Sequence, residues 1–274
     1  MILVDFSGTI VAAIMSSLYL NPDQELDEAR VRWSVLSSLK SYKATFKEYG
    51  DLVIACDGKN YWRKEIFPYY KCKRKKSRDE DKFDWTAIFK SIEKIKGEVK
   101  DFLPYPLIEV NRAEADDVIA VLVKQMTVVD DKVLIISRDK DLKQLQKYPQ
   151  VKQFNPVEKV WLDCPNPRNF LHDHIITGDT GDSIPNIFSD DNSFAIGKRQ
   201  SPATAKRMVN YLTEGLEGRY ELNEKLIDLE QIPSEICWNI LGEYESQINK
   251  GRKKLLMYLL KHDLSALAAS LQDF

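Results

Sequence analysis

The chain has 274 residues, 43 % apolar and 30 % charged, with a net charge of −2; that length can bury a sizeable core in one large domain or two smaller ones. No apolar run approaches a membrane span, and Asp5 interrupts the N-terminal apolar residues, which no basic stretch precedes as in a signal peptide. Cys56, Cys72, Cys164 and Cys237 have neither disulfide-frame nor zinc spacing, so a soluble cytoplasmic protein with reduced thiols is expected.

In chain order, residues 2–6 are a short apolar run read as a buried strand, and the DFSGT that follows offers Ser7 or Thr9 as cap for a helix through about Leu20. Residues 26–49 place Val31, Val35, Leu36, Leu39, Tyr42 and Phe46 at helical spacing and stop at Gly50. Residues 52–56 predict a second strand, ending at Asp57-Gly58. After a basic segment at 59–82, residues 83–102 predict a helix that Pro104 and Pro106 terminate. Next comes PLIEV, a third strand, then NRAEADD, then VIAVLV, a helix ending near Met126. Residues 132–137 predict a fourth strand ending in Arg138-Asp139-Lys140-Asp141, and residues 151–154 and 159–161 an edge hairpin. Beyond about residue 165 the periodicity is helical, interrupted by GDTGDSIP, which carries Asp179 and Asp182, and by a polar loop at 189–201. Helices are predicted at 202–212, opened by a first-turn proline, and at 233–248, 252–261 and 264–271. The reading is an α/β core with a parallel sheet over residues 1–164 and a mostly helical region over 165–274.

In such sheets ligands gather beyond the carboxyl ends of the strands. Here four strand ends carry acid: Asp5, Asp57, the group Glu114, Asp116 and Asp117, and Asp139 with Asp141. One acid alone is ordinary turn chemistry, and first-turn acids complement a helix dipole. Four on one edge are harder to assign to turns. Two carboxylates about 6 Å apart repel by roughly 3 kcal/mol at an effective dielectric of ~20, a cost that a nearby cation turns into attraction.

Residues 59–78 hold nine Lys or Arg and one Glu, a local charge of +8, so the remainder of the chain sums to −10. Tyr61, Trp62, Tyr69 and Tyr70 are interleaved with these cations. Cations neutralise phosphates and aromatics stack on bases, a pairing suited to single strands; a solvated loop is the plain alternative. The segment leaves the sheet just after Asp57 and so overhangs the acidic edge, and its like charges predict that it is disordered or mobile without a ligand. Acids beneath a basic overhang suit metal-assisted phosphodiester hydrolysis, with hard divalent ions such as Mg2+.

VDFSG, the CDG strand end, RAEADDVIAVL, IISRDKDLKQL and GDTGDSIPN together resemble, in order, the acidic motifs of the flap endonuclease and 5′-nuclease family, including its bacteriophage ribonuclease H branch; the likeness covers nearly the whole chain. The resemblance implies a PIN-like sheet core with a helical arch at about 59–82 and a helical DNA-binding C-terminal region. It implies 5′→3′ exonuclease and flap cleavage of RNA–DNA and DNA duplexes, removing RNA primers during phage DNA replication. It places Asp5, Asp57, Glu114, Asp116 and Asp139 around a first Mg2+ and Asp141, Asp179 and Asp182 around a second, with Mn2+ as a substitute; Asp117 is either beside this set or a helix-start acid. Arg63 and Lys71 match arch cations that contact the scissile phosphate, joining Asp116 and Asp139 as the catalytic set, and Tyr70 matches a stacking aromatic. Nucleic-acid contacts are expected from Tyr70, Lys73, Arg74, Lys75 and Lys76, and from Lys198, Arg199, Lys206 and Arg207 in the C-terminal region. There the family's glycine-rich hairpin is interrupted by IFSDDNSF, which leaves duplex contact and a bound potassium ion open. The implied partners are nucleic acids with 5′ ends or flaps and a single-strand DNA-binding protein, the nuclease itself being a monomer.

Two rivals are weighed. DFSGT at a first strand end is similar to haloacid dehalogenase phosphatases, whose nucleophilic aspartate needs a second acid where Ser7 stands. A non-catalytic nucleic-acid-binding protein explains the basic segment but leaves the strand-end acids without a task. His172, His174 and His262 have no acid or cysteine at ligand spacing and are read as surface or packing residues.

Overall fold

The computed structural model describes residues 1–20, 26–81, 83–248 and 250–274; the side chains of Leu20, Lys75 and Lys76 lie outside that description. Six strands form one sheet: β1 (Ile2–Asp5), β2 (Leu52–Cys56), β3 (Leu107–Glu109), β4 (Val133–Ile136), β5 (Val151–Asn155) and β6 (Val160–Leu162), in the order β3-β2-β1-β4-β5-β6. All neighbours are parallel except β5 and β6, the predicted edge hairpin. The strands are apolar at consecutive positions because both sheet faces are covered. Ile2, Val4, Ile54, Leu107, Leu134 and Ile136 enter one core, and Leu3, Val53, Ala55, Ile108, Val133 and Ile135 enter the other. Register is thereby fixed, since a one-residue slip would exchange these two sets.

The first face is covered by α1 (Phe6–Leu20), α2 (Glu28–Thr45) and α5 (Trp85–Phe102), and the second chiefly by α6 (Ala115–Val128). Helix α2 starts at Asp27, whose side chain accepts from the Arg30 N–H, so the helix predicted at 26–49 is shorter and closes in a 3₁₀ turn, Lys47–Tyr49. Helix α5 begins at Asp84, which accepts from Thr86 and Ala87. Such caps satisfy amide groups that have no partner inside the helix.

The basic segment is ordered into two short helices, α3 (Trp62–Ile66) and α4 (Cys72–Asp79), where disorder was expected. Charge repulsion within it is offset by acids from elsewhere in the chain: Arg63 pairs with Asp117, and Lys71 and Arg74 with Asp182. Trp62 and Tyr70 are buried, and Phe67 and Tyr70 join a small third core with Ile175, Ile184, Leu226 and Ile227.

The C-terminal helices are α7 (Pro167–Thr177), α8 (Ala205–Asn210), α9 (Glu217–Ile227), α10 (Ser234–Gln247), α11 (Leu255–Lys261) and α12 (Ser265–Ala268). Helix α8 is shorter than the predicted 202–212 because Thr204, not Pro202, caps it, accepting from the Arg207 N–H. The helix predicted at 252–261 opens only at Leu255, and the one at 264–271 reduces to α12 plus a 3₁₀ turn, Leu271–Asp273. Ile236 and Ile240 of α10 pack into one core, while Leu255 and Leu259 of α11 and the terminal Phe274 pack into the other.

Candidate active site

The parallel strands β1, β2 and β4 end side by side, so the residues that follow them share one edge. A pocket of about 260 Å³ at that edge is lined by Asp5, Asp57, Asp116, Asp139, Asp141, Asp179 and Asp182, together with Ser7, Lys71, Arg74 and Lys140. Seven of the eight acids singled out as metal ligands therefore meet in one cavity. Glu114 does not line it. That side chain is buried beneath, its Oε2 accepting from Arg63 Nη1 at 2.9 Å and Tyr70 Oη at 2.8 Å, and its Oε1 contacting Lys71 Nζ. With those donors in place Glu114 orients Lys71 and Tyr70.

Several of these acids are aimed by neighbours. Asp5 accepts from the Gly8 N–H at 3.0 Å and from Ser137 Oγ at 2.9 Å. Asp57 accepts from Ser7 Oγ at 2.6 Å and from the Ala115 N–H, at the start of α6, at 3.0 Å. Gly58 allows this turn to lie against the next one, for a Cβ there would sit 1.9 Å from the Val110 carbonyl oxygen. The Asp141 N–H reaches Asp139 Oδ1 at 2.9 Å, and buried Gln153 donates to the carbonyls of Ser137 and Asp139, holding the loop after β4. Asp179 accepts from the Asp182 N–H at 2.8 Å. Gly178, at φ 71°, closes α7 against Ile184 and Pro185, a conformation that glycine tolerates and side chains do not.

The electrostatics fit a cation. Burial, then the charges of neighbouring acids, push the Asp5 and Asp116 carboxyls up and carry Asp139 to about 6. Burial alone would raise Asp179 too, but Lys140 and the Asp182 backbone outweigh it and hold that carboxyl low. Two buried atoms, Asp141 Oδ1 and His174 Nε2, have no hydrogen-bond partner although they lie 3.0 Å apart. Oxygen-rich donors that repel one another, with orphaned atoms among them, are what a divalent ion satisfies.

Beside the acids, and sharing Ser7, Asp57, Arg74 and Gly181 with them, opens a cavity of about 690 Å³ between α1, α4 and α5. Tyr61, Trp85 and Phe89 line it with Lys73, Arg74 and Arg78. The basic segment does overhang the acidic edge.

Individual arch residues depart from expectation. Arg63 is 3 % exposed, and its guanidinium bonds Asp117 at 2.7 and 3.0 Å, Glu114 at 2.9 Å and the Leu226 carbonyl at 2.8 Å. It has no surface to offer a phosphate. Tyr70, also 3 % exposed, donates to Glu114 or Asp182 and has no free ring face to stack. Lys71 does line the pocket; burial lowers its pKa, but Asp182 and Glu114 more than reverse this and keep it protonated. Its φ of 58° is unusual for a side chain bearing a Cβ, and the Lys71 N–H to Asp182 carbonyl bond at 2.7 Å holds it there. Asp117 is fully buried, accepting from Trp62 Nε1, Arg63 and the Glu114 N–H, so it anchors α3 and caps α6.

In the C-terminal region Lys198 pairs with Asp190 and Arg207 with Glu214, Arg207 also stacking on Phe188; Arg199 and Lys206 are exposed. Lys73 of α4 lies over the ring of Phe194, which brings that loop against the arch. Lys75 and Lys76 fall outside the described side chains. The sequence reading took His174 for a surface or packing residue and gave Ser137 and Gln153 no role. Only His174 carried a signal: it stands one helical turn before the GDTGD acids.

Comparison with known proteins agrees with this geometry. The family model for the 5′-3′ exonuclease N-terminal, resolvase-like domain matches residues 4–170, and that for the C-terminal part of T4 RNase H matches residues 169–274. The chain is 34 % identical to the ribonuclease H of Enterobacteria phage T4, covering 99 % of this chain and 95 % of that protein. It is 29 % identical to the flap endonuclease Xni of Shewanella pealeana over 46 % of this chain and 48 % of that one. Among solved structures, the bacteriophage T5 D15 flap endonuclease, crystallised as a pseudo-enzyme–product complex with DNA and metal ions, superposes with a TM-score of 0.67 at 18 % identity, covering 90 % of this chain and 98 % of that one. The T5 5′-exonuclease with bound zinc gives 0.66 at 18 % identity, over 91 % and 98 %.

Proposed function

Because the chain belongs to the 5′-3′ exonuclease family, we propose that it is a metal-dependent hydrolase that cuts phosphodiesters near the 5′ ends of RNA–DNA and DNA duplexes and at flaps. The observation that carries this reading is the meeting of seven aspartates in one pocket beside a cavity lined by cations and aromatics. Seven carboxylates against three cations, Lys71, Arg74 and Lys140, leave an excess of negative charge that repels phosphate; with divalent ions among them, the same pocket attracts it. Neither rival reading gains support: Ser7 stands where a phosphatase needs its second acid and donates to Asp57, and a purely binding protein would not need the acids.

Asp5, Asp57, Asp116 and Asp139 would hold one ion, and Asp141, Asp179 and Asp182 a second, as Mg2+ or Mn2+. Ions bound there supply an acidified water and counter-charge for the leaving oxygen. The protein's own part is orientation. Ser7, Ser137 and the Ala115 and Gly8 amides fix the carboxylate directions. Lys71 lies where a cation can hold the scissile phosphate, and Arg63 acts at one remove by fixing Glu114, which holds Lys71. Tyr61, Trp85 and Phe89 offer faces for unstacked bases beside the pocket. Duplex beyond the cut would run towards Lys198, Arg199, Lys206 and Arg207.

Residues 1–164 form the nuclease body in this proposal and residues 165–274 the duplex-gripping part. Primer removal in phage replication, in the host cytoplasm, as a monomer that meets a single-strand DNA-binding protein, completes it. Among the described residues no helix is long and apolar enough to cross a membrane.

The test is digestion of 5′-labelled RNA–DNA duplex and of 5′-flap DNA, with and without Mg2+, mapping the first product. Short 5′ products and excised flaps that require the metal support the reading. Absence of metal-dependent cleavage on both substrates overturns it.

A further inference from the structure

His174 sits on the last turn of α7, 7 % exposed, with its ring stacked on Phe170 at 5.8 Å and 22°. Its Nε2 lies 3.0 Å from Asp141 Oδ1 and 3.4 Å from Asp179 Oδ2, and the three ligand atoms fall within 4.8 Å of one another. Proximity without a hydrogen bond is the informative point: Nε2 and Asp141 Oδ1 are both buried and both unpartnered. A simple imidazole–carboxylate pair would align its N–H with the oxygen. Atoms that are close but misaligned, converging from separate elements, mark a shared third partner. A neighbouring cation, Lys140, has its Nζ 2.8 Å from Asp179 Oδ2 on a half-exposed side chain.

We propose that His174 Nε2 is a ligand of the ion held by Asp141 and Asp179, making it a mixed nitrogen–oxygen site. The consequence is a change of metal preference. An all-carboxylate site suits Mg2+, whereas imidazole strengthens binding of borderline ions such as Mn2+, Co2+ and Zn2+ more than of Mg2+. This rests on the metal-dependent reading above and adds a ligand and a selectivity to it.

The direct test uses Mn2+ alone, without substrate, and pulsed electron paramagnetic resonance to detect nitrogen coupled to the bound ion. Imidazole nitrogen coupling is expected in the unaltered protein, replaced by 15N coupling when histidine is 15N-labelled. It is expected to vanish in His174→Gln and to persist in a His172→Gln/His262→Gln double variant. The double variant leaves His174 as the sole histidine, so the coupling can be assigned even if His174→Gln folds poorly. Calorimetric titration should show about 10–100-fold weaker Mn2+ binding in His174→Gln, with a smaller loss for Mg2+. Mn2+ that binds without nitrogen coupling, or coupling that survives in His174→Gln, overturns the ligand assignment and leaves the nuclease reading intact. Failure of Mn2+ to bind at all overturns both.

Discussion

Nη2 of Arg63 lies 2.7 Å from Oδ1 of Asp117, and both side chains are sealed from water. Two charges so enclosed stabilise each other only as a pair, because removing one leaves the other buried without a counter-ion. Arg63→Ala is therefore expected to destabilise the protein by about 3–5 kcal/mol. Arg63→Lys should recover little of it, since one ammonium cannot bond Asp117, Glu114 and the Leu226 carbonyl together. Thermal unfolding of the metal-free protein checks this. If Arg63→Ala melts like the unaltered chain and loses only DNA affinity, Arg63 contacts phosphate and the structural role is wrong.

Lys71 sits differently, with its ammonium reaching the pocket from between Glu114 and Asp182. A cation there stabilises charge that grows on the phosphate during cleavage more than charge already present. Lys71→Gln should reduce kcat by about 10²–10³-fold with a much smaller change in KM. Single-turnover cleavage separates the two: an effect confined to KM would make Lys71 a binding residue only.

Much of this was readable beforehand, for reasons particular residues show. The strands announce themselves because the sheet is buried on both faces, so β1, β2 and β4 are unbroken apolar runs, and parallel connection then puts Asp5, Asp57 and Asp139 on one edge. What escaped depends on contacts between distant parts of the chain. The segment 59–82 looked disordered because its counter-charges, Asp117 and Asp182, lie far along the sequence. Tyr70 and Arg63 looked available for the same reason. Helix α9 was not located because it buries only Asn223, Leu226 and Ile227 and so has a narrow apolar stripe. His174 was dismissed because its partner Asp141 stands on a separate 3₁₀ turn, Asp141–Lys147, that α7 packs against.

Asp139 yields a prediction with a definite sign. Burial and then the Asp141 charge raise its folded pKa to about 6, above the ordinary value of 3.8. Between those values the folded state binds more protons than the unfolded one, so metal-free stability falls as pH rises through that window. Above it the ionised carboxylate is a full burden. Asp139→Asn keeps the oxygen that accepts from the Asp141 N–H and removes the charge. The variant should therefore be more stable than the unaltered protein at pH 7 without metal, by on the order of 1–2 kcal/mol. It should lose cleavage and most of its stabilisation by Mg2+. Melting curves at pH 4 and pH 7, with chelator and with Mg2+, test this; an Asn variant less stable than the parent at pH 7 in chelator would show that the acids are not in mutual repulsion.

Helix α4 presents its cations to the larger cavity. Lys73 and Arg78 line the larger cavity beside the acids, and cations that neutralise phosphates release condensed counter-ions on binding. For single strands the slope of log affinity against log salt is about −0.7 per phosphate neutralised. A Lys73→Ala/Arg78→Ala double variant should thus flatten the slope for a 5′-flap substrate by about 1.4. Affinity should fall most at low salt, and Ca2+ in place of Mg2+ would keep the substrate uncut during measurement. Because Lys73 lies over Phe194 and Arg78 over Phe89, the thermal melt of the double variant is measured beside the salt series, and an unchanged melting temperature assigns lost binding to lost charge. Mutating Lys132, which lies at the opposite end of the sheet beside the N-terminus, should leave the slope unchanged. If the α4 variant keeps the parent slope, the flap does not pass through this cavity, and Lys73 and Arg78 serve only to pack α4 against Phe194 and Phe89.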